Sequence, residues 1–376
     1  MILLLLGLAQ AAEPLSLMEA IDIGATRSFG AQRVNPARGA AIAEARAEAA
    51  WAEDPRLAFE RDDHGDTLAL TVPIETEAWM RRRTAERWRA VAGQDAMLAR
   101  VEAGLSAGAA WLDAWQAAEV ARLYTDAQAL ASEVQRAARA RVAAGEWPAS
   151  ESALLQADAA RALGRSLDAQ RAAHIALLDL QRALGKNPDG NVVLGAWAPL
   201  PAAPPSSPVE SPLVLRADLA RRAARLEANT AAWVRAPDLA LTTGATLGEA
   251  PATALYGVEM TLPLGRSPKG AEARAELGEV NLREAQAQAQ IDRSAADSEL
   301  QITGLLVEAW QIEGLGELER TLGQLLVAGE LSLPDYVARR ELATEARLGS
   351  IEAQWRRARA ELDQWAMAGA LPGMDD

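Results

Sequence analysis

Cysteine is absent from the 376-residue chain. That excludes a disulfide framework, a thiolate nucleophile and cysteine-ligated zinc, and it removes the acceptor for an N-terminal lipid anchor. Aromatic side chains other than tryptophan are scarce, with two Phe and three Tyr beside 11 Trp. At 4% aromatic, a hydrophobic content of 50% cannot build a thick globular core. Alanine and leucine interspersed with Arg, Glu and Gln suit long, closely packed helices instead. Positive charge is in deficit: 38 Lys and Arg against 52 Asp and Glu leave a net charge of −14, which disfavours nucleic acid as a partner. Histidine occurs twice, as His64 in a turn and His174 in a helical stretch, so neither a metal constellation nor a catalytic triad is offered. Phosphate-binding and dinucleotide fingerprints are missing as well. The expectation is a chain without cofactor or enzymatic chemistry. Beyond the first residues, no stretch reaches the ~18 continuous apolar residues of a membrane-spanning helix.

What is present begins with a targeting signal. The run Ile2 to Leu8 is apolar and is followed by Ala9-Gln10-Ala11, a small-x-small pattern, so residues 1–11 are expected to be an export signal.

The rest of the chain reads as one arrangement written twice. Val142-Ala143-Ala144-Gly145-Glu146 and Leu326-Val327-Ala328-Gly329-Glu330 lie 184 positions apart. Each opens a long Ala-, Leu-, Arg- and Glu-rich interval that closes on glycine, at Gly185 and Gly369. A repeat of that length marks a duplicated half. The first repeat, 12–186, holds a helix from Leu15 to about Trp51, a hairpin over 56–73, a long helix over 75–144 and a return helix over 150–184. The hairpin is read from strict alternation around Asp63-His64-Gly65-Asp66. Within the long helix, Val120, Leu123, Ala127, Leu130 and Val134 keep coiled-coil spacing, while Gly104 and Gly108 are expected to soften the rod. A proline-rich linker over 187–212 divides the halves. The second repeat, 213–376, replays the order with a helix over 213–235, a hairpin over 238–262, a long helix over 268–327 and a return helix over 332–369. Ser150 and Ser332 are placed to cap the two return helices. Trp111 and Trp115, one turn apart, are expected to pack between helices.

Two helical hairpins each ending in a two-stranded hairpin leave strand edges open, and an isolated hairpin is marginal in water. Closing several copies into a ring pairs every edge. The tandem repeat and the turns at Gly145-Glu146 and Gly329-Glu330-Leu331-Ser332-Leu333-Pro334-Asp335 are similar to the outer-membrane efflux protein (TolC-like) family. So are the Pro-x-Leu strand starts at Pro55 and Pro237 and the strand exit Thr261-Leu262-Pro263-Leu264. The resemblance covers nearly the whole chain. It implies a mainly α fold with short β hairpins, in which duplicated coiled coils form a trimeric helical tunnel below a short twelve-stranded β-barrel. It also implies a homotrimer in the Gram-negative outer membrane, reaching an inner-membrane pump through a periplasmic adaptor.

By the same resemblance Gly145, Glu146, Gly329 and Glu330 are adaptor-docking tips. Glu151 and Asp335, six positions after the tip glycines, would ring the lumenal entrance; Ala338 stands where some relatives carry a second acid. The competing reading makes both acids ordinary first-turn residues that complement the helix dipole. Tyr256, Val258, Met260 and Leu262 fall on one strand face and are expected to meet outer-membrane lipid. The hairpins are short for the task, six or seven residues per strand in the first and about nine in the second, against the ~9–11 of a bilayer-crossing strand. The alternative is therefore a barrel-poor periplasmic coiled-coil scaffold that conducts nothing.

Overall fold

The computed structural model describes residues 14–28, 56–62, 65–74, 76–186, 192–204, 211–233, 238–247, 253–261, 269–310 and 314–372. The expected export signal, the stretch 29–55 and Leu262 lie outside them. The chain runs α1 (Leu17–Arg27), β1 (Arg56–Asp62), β2 (Gly65–Ile74), α2 (Thr76–Ala143), α3 (Ala149–Ala183) and α4 (Pro212–Trp233). It continues through β3 (Asp238–Leu247), β4 (Thr253–Thr261), α5 (Lys269–Ala309), α6 (Leu315–Ala328) and α7 (Leu333–Ala368). No helix among the described residues is long and apolar enough to cross a membrane.

Contacts divide the chain into two compact units that cut across the repeats. One holds Met1–Gln32, Arg100–Pro205 and Asp292–Asp376; the other holds Arg33–Ala99 and Ser206–Ile291. Each unit thus draws on both halves, and the chain passes from the first unit to the second inside the proline-rich linker, between Pro205 and Ser206.

In the first unit, one apolar cluster gathers Leu15, Ile21, Trp111, Leu112, Leu180, Leu362, Trp365 and Leu371 among others. Tryptophan supplies bulk there, and two of the rings have their N–H satisfied by backbone carbonyls, whereas Trp197 Nε1 has no partner among the described residues. Trp111 Nε1 donates to Leu15 O at 2.8 Å and Trp365 Nε1 to Pro201 O at 3.0 Å. Trp115 packs against Trp197 with ring centroids 6.0 Å apart. Of the linker expected over 187–212, residues 192–204 are non-helical and are drawn into this cluster through the buried Leu200, whereas Pro212 already opens α4.

Helix α1 opens on a capping box, with Glu19 N–H donating to Ser16 Oγ and Ser16 N–H to Glu19 Oε2. It crosses α2 at very short range. A Cβ on Gly104 would meet Leu371 Cδ2 at 2.9 Å, and one on Gly108 would meet Ile21 Cγ1 at 2.7 Å. The two glycines therefore do not soften the rod. α2 runs through them without interruption, and they are small because the α1 backbone at Ile21 O lies against Gly104 and the Ile21 side chain lies against Gly108.

The second long helix is where the halves part. The stretch expected as one helix is α5 and α6, separated at Gly314, which caps α6 with φ +79°. Left-handed backbone is open to glycine and disfavoured for other residues, so the helix cannot simply run on through that position.

In the second unit the two hairpins join into a single four-stranded antiparallel sheet of order β1-β2-β3-β4. Strand β2 is longer than the sequence suggests and passes through Pro73, which lies opposite Ala240. Pairing with β1 ends at Thr71, so the proline, which lacks an N–H, has to serve only one neighbour. Helices α4 and α5 are tied by a charged cluster, with Arg221 bound to Asp218 and to Glu279 Oε1, and Arg225 also bound to Glu279 Oε1. Arg216 of α4 pairs with Asp95 of α2.

Candidate functional site

The two turns are built alike. At the first, Gly145 N–H donates to Val142 O and Glu146 N–H to Arg141 O; at the second, Gly329 N–H donates to Leu326 O and Glu330 N–H to Leu325 O. This is the Schellman arrangement, which needs a left-handed residue after the helix. Gly145 has φ +78° and Gly329 φ +81°. No atom crowds a Cβ at Gly145 within 4 Å, so backbone conformation rather than space selects glycine there. All four tip residues Gly145, Glu146, Gly329 and Glu330 are exposed. The turns are neighbours, because a Cβ on Gly329 would lie 3.8 Å from an Arg141 guanidinium nitrogen. Arg141 also stands 5.4 Å over the Trp147 ring and 3.7 Å from Glu146 Oε2.

Behind the turns, Val134, Ala138, Leu155, Leu322, Leu326, Leu333 and Tyr336 close a cluster drawn from four helices. Farther along lies a layer of buried polar groups that sequence reading missed. Arg340 of α7 donates from both terminal nitrogens to Asp158 of α3, each contact 2.6 Å. Glu319 of α6 accepts from Thr344 Oγ1 at 3.1 Å and from Arg347 Nη1 at 2.8 Å. Tyr336 is fully buried with its hydroxyl unsatisfied among the described residues, and burial pushes its pKa above the usual tyrosine value. Nothing local betrays these partners, since Asp158 and Arg340 are 182 positions apart.

The acids of the expected entrance ring differ in setting. Asp335 is exposed and tied to its own helix start: Ser332 Oγ donates to Asp335 Oδ2 at 2.6 Å, and Asp335 N–H donates to Ser332 Oγ at 3.3 Å. Glu151 is half-buried in the first turn of α3, and among the described residues its side chain makes no ion pair. Ser332 caps α7 as expected, whereas Ser150 does not cap α3. That helix starts one residue earlier, at Ala149, and its cap is Pro148, which has no side-chain acceptor. His174 stands exposed on α3, His64 lies outside the described residues, and among those residues no group of three or more His, Cys, Asp or Glu could hold a metal ion.

The sheet has two unlike faces. Directly opposed residues share a face, and the register aligns Leu57 with Leu70, Phe59 with Leu68, Val72 with Leu241, Leu241 with Val258, and Leu239 with Met260. Tyr256 and Val258 are 83% and 70% exposed, and Leu57, Phe59, Leu68, Leu70, Val72 and Leu241 of the same face are exposed too. Met260 takes its register position beside them. The opposite face carries Thr67, Thr71, Thr242, Thr246 and Gly257, and Thr71 Oγ1 lies 3.2 Å from Thr242 Oγ1. Among the described residues, strands β1 and β4 each have one edge without a partner.

No family model matches the sequence, and no curated protein matches it. Solved structures do. The fold is that of the outer-membrane channel proteins. CusC, described for its transmembrane channel formation, aligns with a TM-score of 0.78 over 95% of this chain and 93% of its own at 13% identity. The Campylobacter jejuni outer-membrane channel CmeC aligns at 0.72 over 96% and 87% with 16% identity. The Vibrio cholerae outer-membrane protein VceC aligns at 0.73 over 94% and 96%, again with 16% identity.

Proposed function

We propose that the chain is the outer-membrane channel of a tripartite efflux or type I secretion system, a passive conduit from periplasm to exterior. It acts as a homotrimer in the Gram-negative outer membrane. The observation that carries the reading is the two-faced sheet: a mainly apolar exposed face, interrupted by Thr243 between Leu70 and Tyr256, is backed by one rich in threonine, alanine and glycine, the pattern of a barrel set in lipid around a polar lumen. Nothing in lipid can satisfy an open strand edge, so β1 and β4 require partners, which further copies supply. The likeness of fold to outer-membrane channels supports the same reading.

In this proposal Tyr256, Val258 and Met260, continued by Leu262, meet lipid. Gly145, Glu146, Gly329 and Glu330 dock a periplasmic adaptor, and the adaptor links the channel to an inner-membrane pump that supplies the energy. Glu151 and Asp335 face the lumen at its narrow end, where like charges favour cations over anions. Conductance in planar bilayers tests this. The purified assembly is expected to conduct with a preference for cations, and Glu151→Gln with Asp335→Asn is expected to reduce that preference while conductance persists. A stable assembly that conducts nothing would favour a periplasmic coiled-coil scaffold. The observation on that side is β1, whose 7 residues fall short of the ~9–11 that cross a bilayer.

A further inference from the structure

The return helices α3 and α7 stand in register at a shift of 184, since Ala149 and Leu333 begin them. Their buried contact is nevertheless unsymmetrical. Asp158 and Arg340 meet with side chains 9% and 8% exposed. The repeat carries each onto a different kind of residue: Asp158 corresponds to Leu342 and Arg340 to Gln156. These counterparts have the opposite environment. Leu342 is 65% exposed and Gln156 is exposed as well, so each chain holds one charged, filled seam and one neutral, empty copy of it.

We infer that the Gln156 and Leu342 faces form the seam between copies of the chain, with Leu342 of one copy set against Gln156 of the next in the geometry of the Asp158–Arg340 contact. The inference rests on the multi-copy reading above and gives that reading its contact residues. It follows from the duplication. If an α3 face and an α7 face fit within a chain, the same faces at the shifted positions fit between chains, and the ring closes when each flank is used once.

The charged pair then chooses among partners. In an α3–α3 pairing Gln156 would occupy the place of Arg340, and in an α7–α7 pairing Leu342 would occupy the place of Asp158. Either leaves a buried charge uncompensated, so like halves are kept from joining. A buried ion pair often contributes little to stability against an apolar replacement, which makes discrimination the stronger reason for this one.

The cysteine-free chain permits a direct test. The full-length protein carrying Gln156→Cys and Leu342→Cys, treated with a short bifunctional maleimide, should give covalently linked dimers and trimers. Each single variant should give about tenfold less interchain product, since a single site can link only like helices; tenfold corresponds to ~1.4 kcal/mol. Equal product from the double and the single variants would overturn the inference. So would a wild-type chain that remains monomeric. As a second arm, Leu342→Arg alters a side chain that is exposed in the single chain. It should weaken association about tenfold, ~1.4 kcal/mol, with an unchanged far-ultraviolet circular dichroism spectrum. Unchanged association overturns the inference too. Conductance is read separately: a linked assembly that fails to conduct leaves the seam standing and removes the channel.

Discussion

The two repeats keep the same turns and differ in the rods that lead to them. Before Gly145, α2 runs unbroken from Thr76 to Ala143; before Gly329, the equivalent path is split into α5 and α6 at Gly314. The turns are held by identical backbone hydrogen bonds. The rod in the first repeat has Leu130 where the second has Gly314, so the break arose in one half alone. Asp158 and Arg340 tell the same story in side chains, because neither has its own kind at the repeat-related position. Constraint therefore falls on the turn, where backbone geometry leaves no choice. It relaxes along the helices, where many sequences fill the same space.

Substitutions at matched positions of the two halves should separate shared constraint from difference. The largest effect is expected at the polar contact found in one combination only. Asp158→Ala leaves Arg340 buried without its partner and should cost about 3–5 kcal/mol in chemical denaturation. Leu342→Ala, at the repeat-related exposed position, should cost far less in the isolated chain. Next comes the helix crossing. A Cβ on Gly24 would lie 2.4 Å from Ala107 Cβ and 2.9 Å from Ala103 O, so Gly24→Ala should cost about 1–3 kcal/mol. Gly164→Ala meets no atom within 4 Å in the middle of α3 and should instead stabilise by about 1 kcal/mol. The turns should answer alike: Gly145→Ala and Gly329→Ala each force a side chain into left-handed backbone, at about 1–2 kcal/mol apiece. A much larger penalty at one turn than at the other would contradict their equivalence.

The smallest effects separate the helix starts. Ser332→Ala should cost about 1 kcal/mol through the lost cap, and Ser150→Ala less than about 0.5 kcal/mol. At α1, hydrogen bonds from the Ser16 backbone N–H and hydroxyl hold the Glu19 carboxyl below its ordinary pKa. A lowered folded pKa means that stability is fully present above the ordinary glutamate value and is lost as pH falls through the folded one. Glu19→Gln should therefore reduce the melting temperature at neutral pH and make no difference in strong acid.

Much of this architecture is visible in the residues themselves, and the exceptions have physical causes. Gly145 and Gly329 are legible because positive φ leaves glycine as the ready choice, and the alternation of the strands is legible because the two faces differ in polarity. Gly104 and Gly108 mislead because glycine serves both loose backbone and close packing, and spacing does not say which. The break at Gly314 hides because apolar periodicity resumes on either side of it. Pro73 suggests a strand end, yet the absent N–H matters less where β1 no longer pairs. The Asp158–Arg340 contact joins residues from different halves and has no local signature. The backbone geometry of the turns, the start of α7 at Ser332 and the shared strand face of Tyr256 and Val258 were legible in the sequence, while the buried polar layer behind the turns was not.

The orientation of the sheet in lipid is the point on which the functional account turns, and site-directed fluorescence quenching reads it directly. Single cysteines at 241, 256 and 258, and at 71, 242 and 257, would each carry a small fluorophore in proteoliposomes containing brominated lipid. The account predicts quenching by lipid at the first three positions and by aqueous iodide at the second three, alternating along each strand. Equal quenching by iodide at all six, with none by lipid, would contradict it.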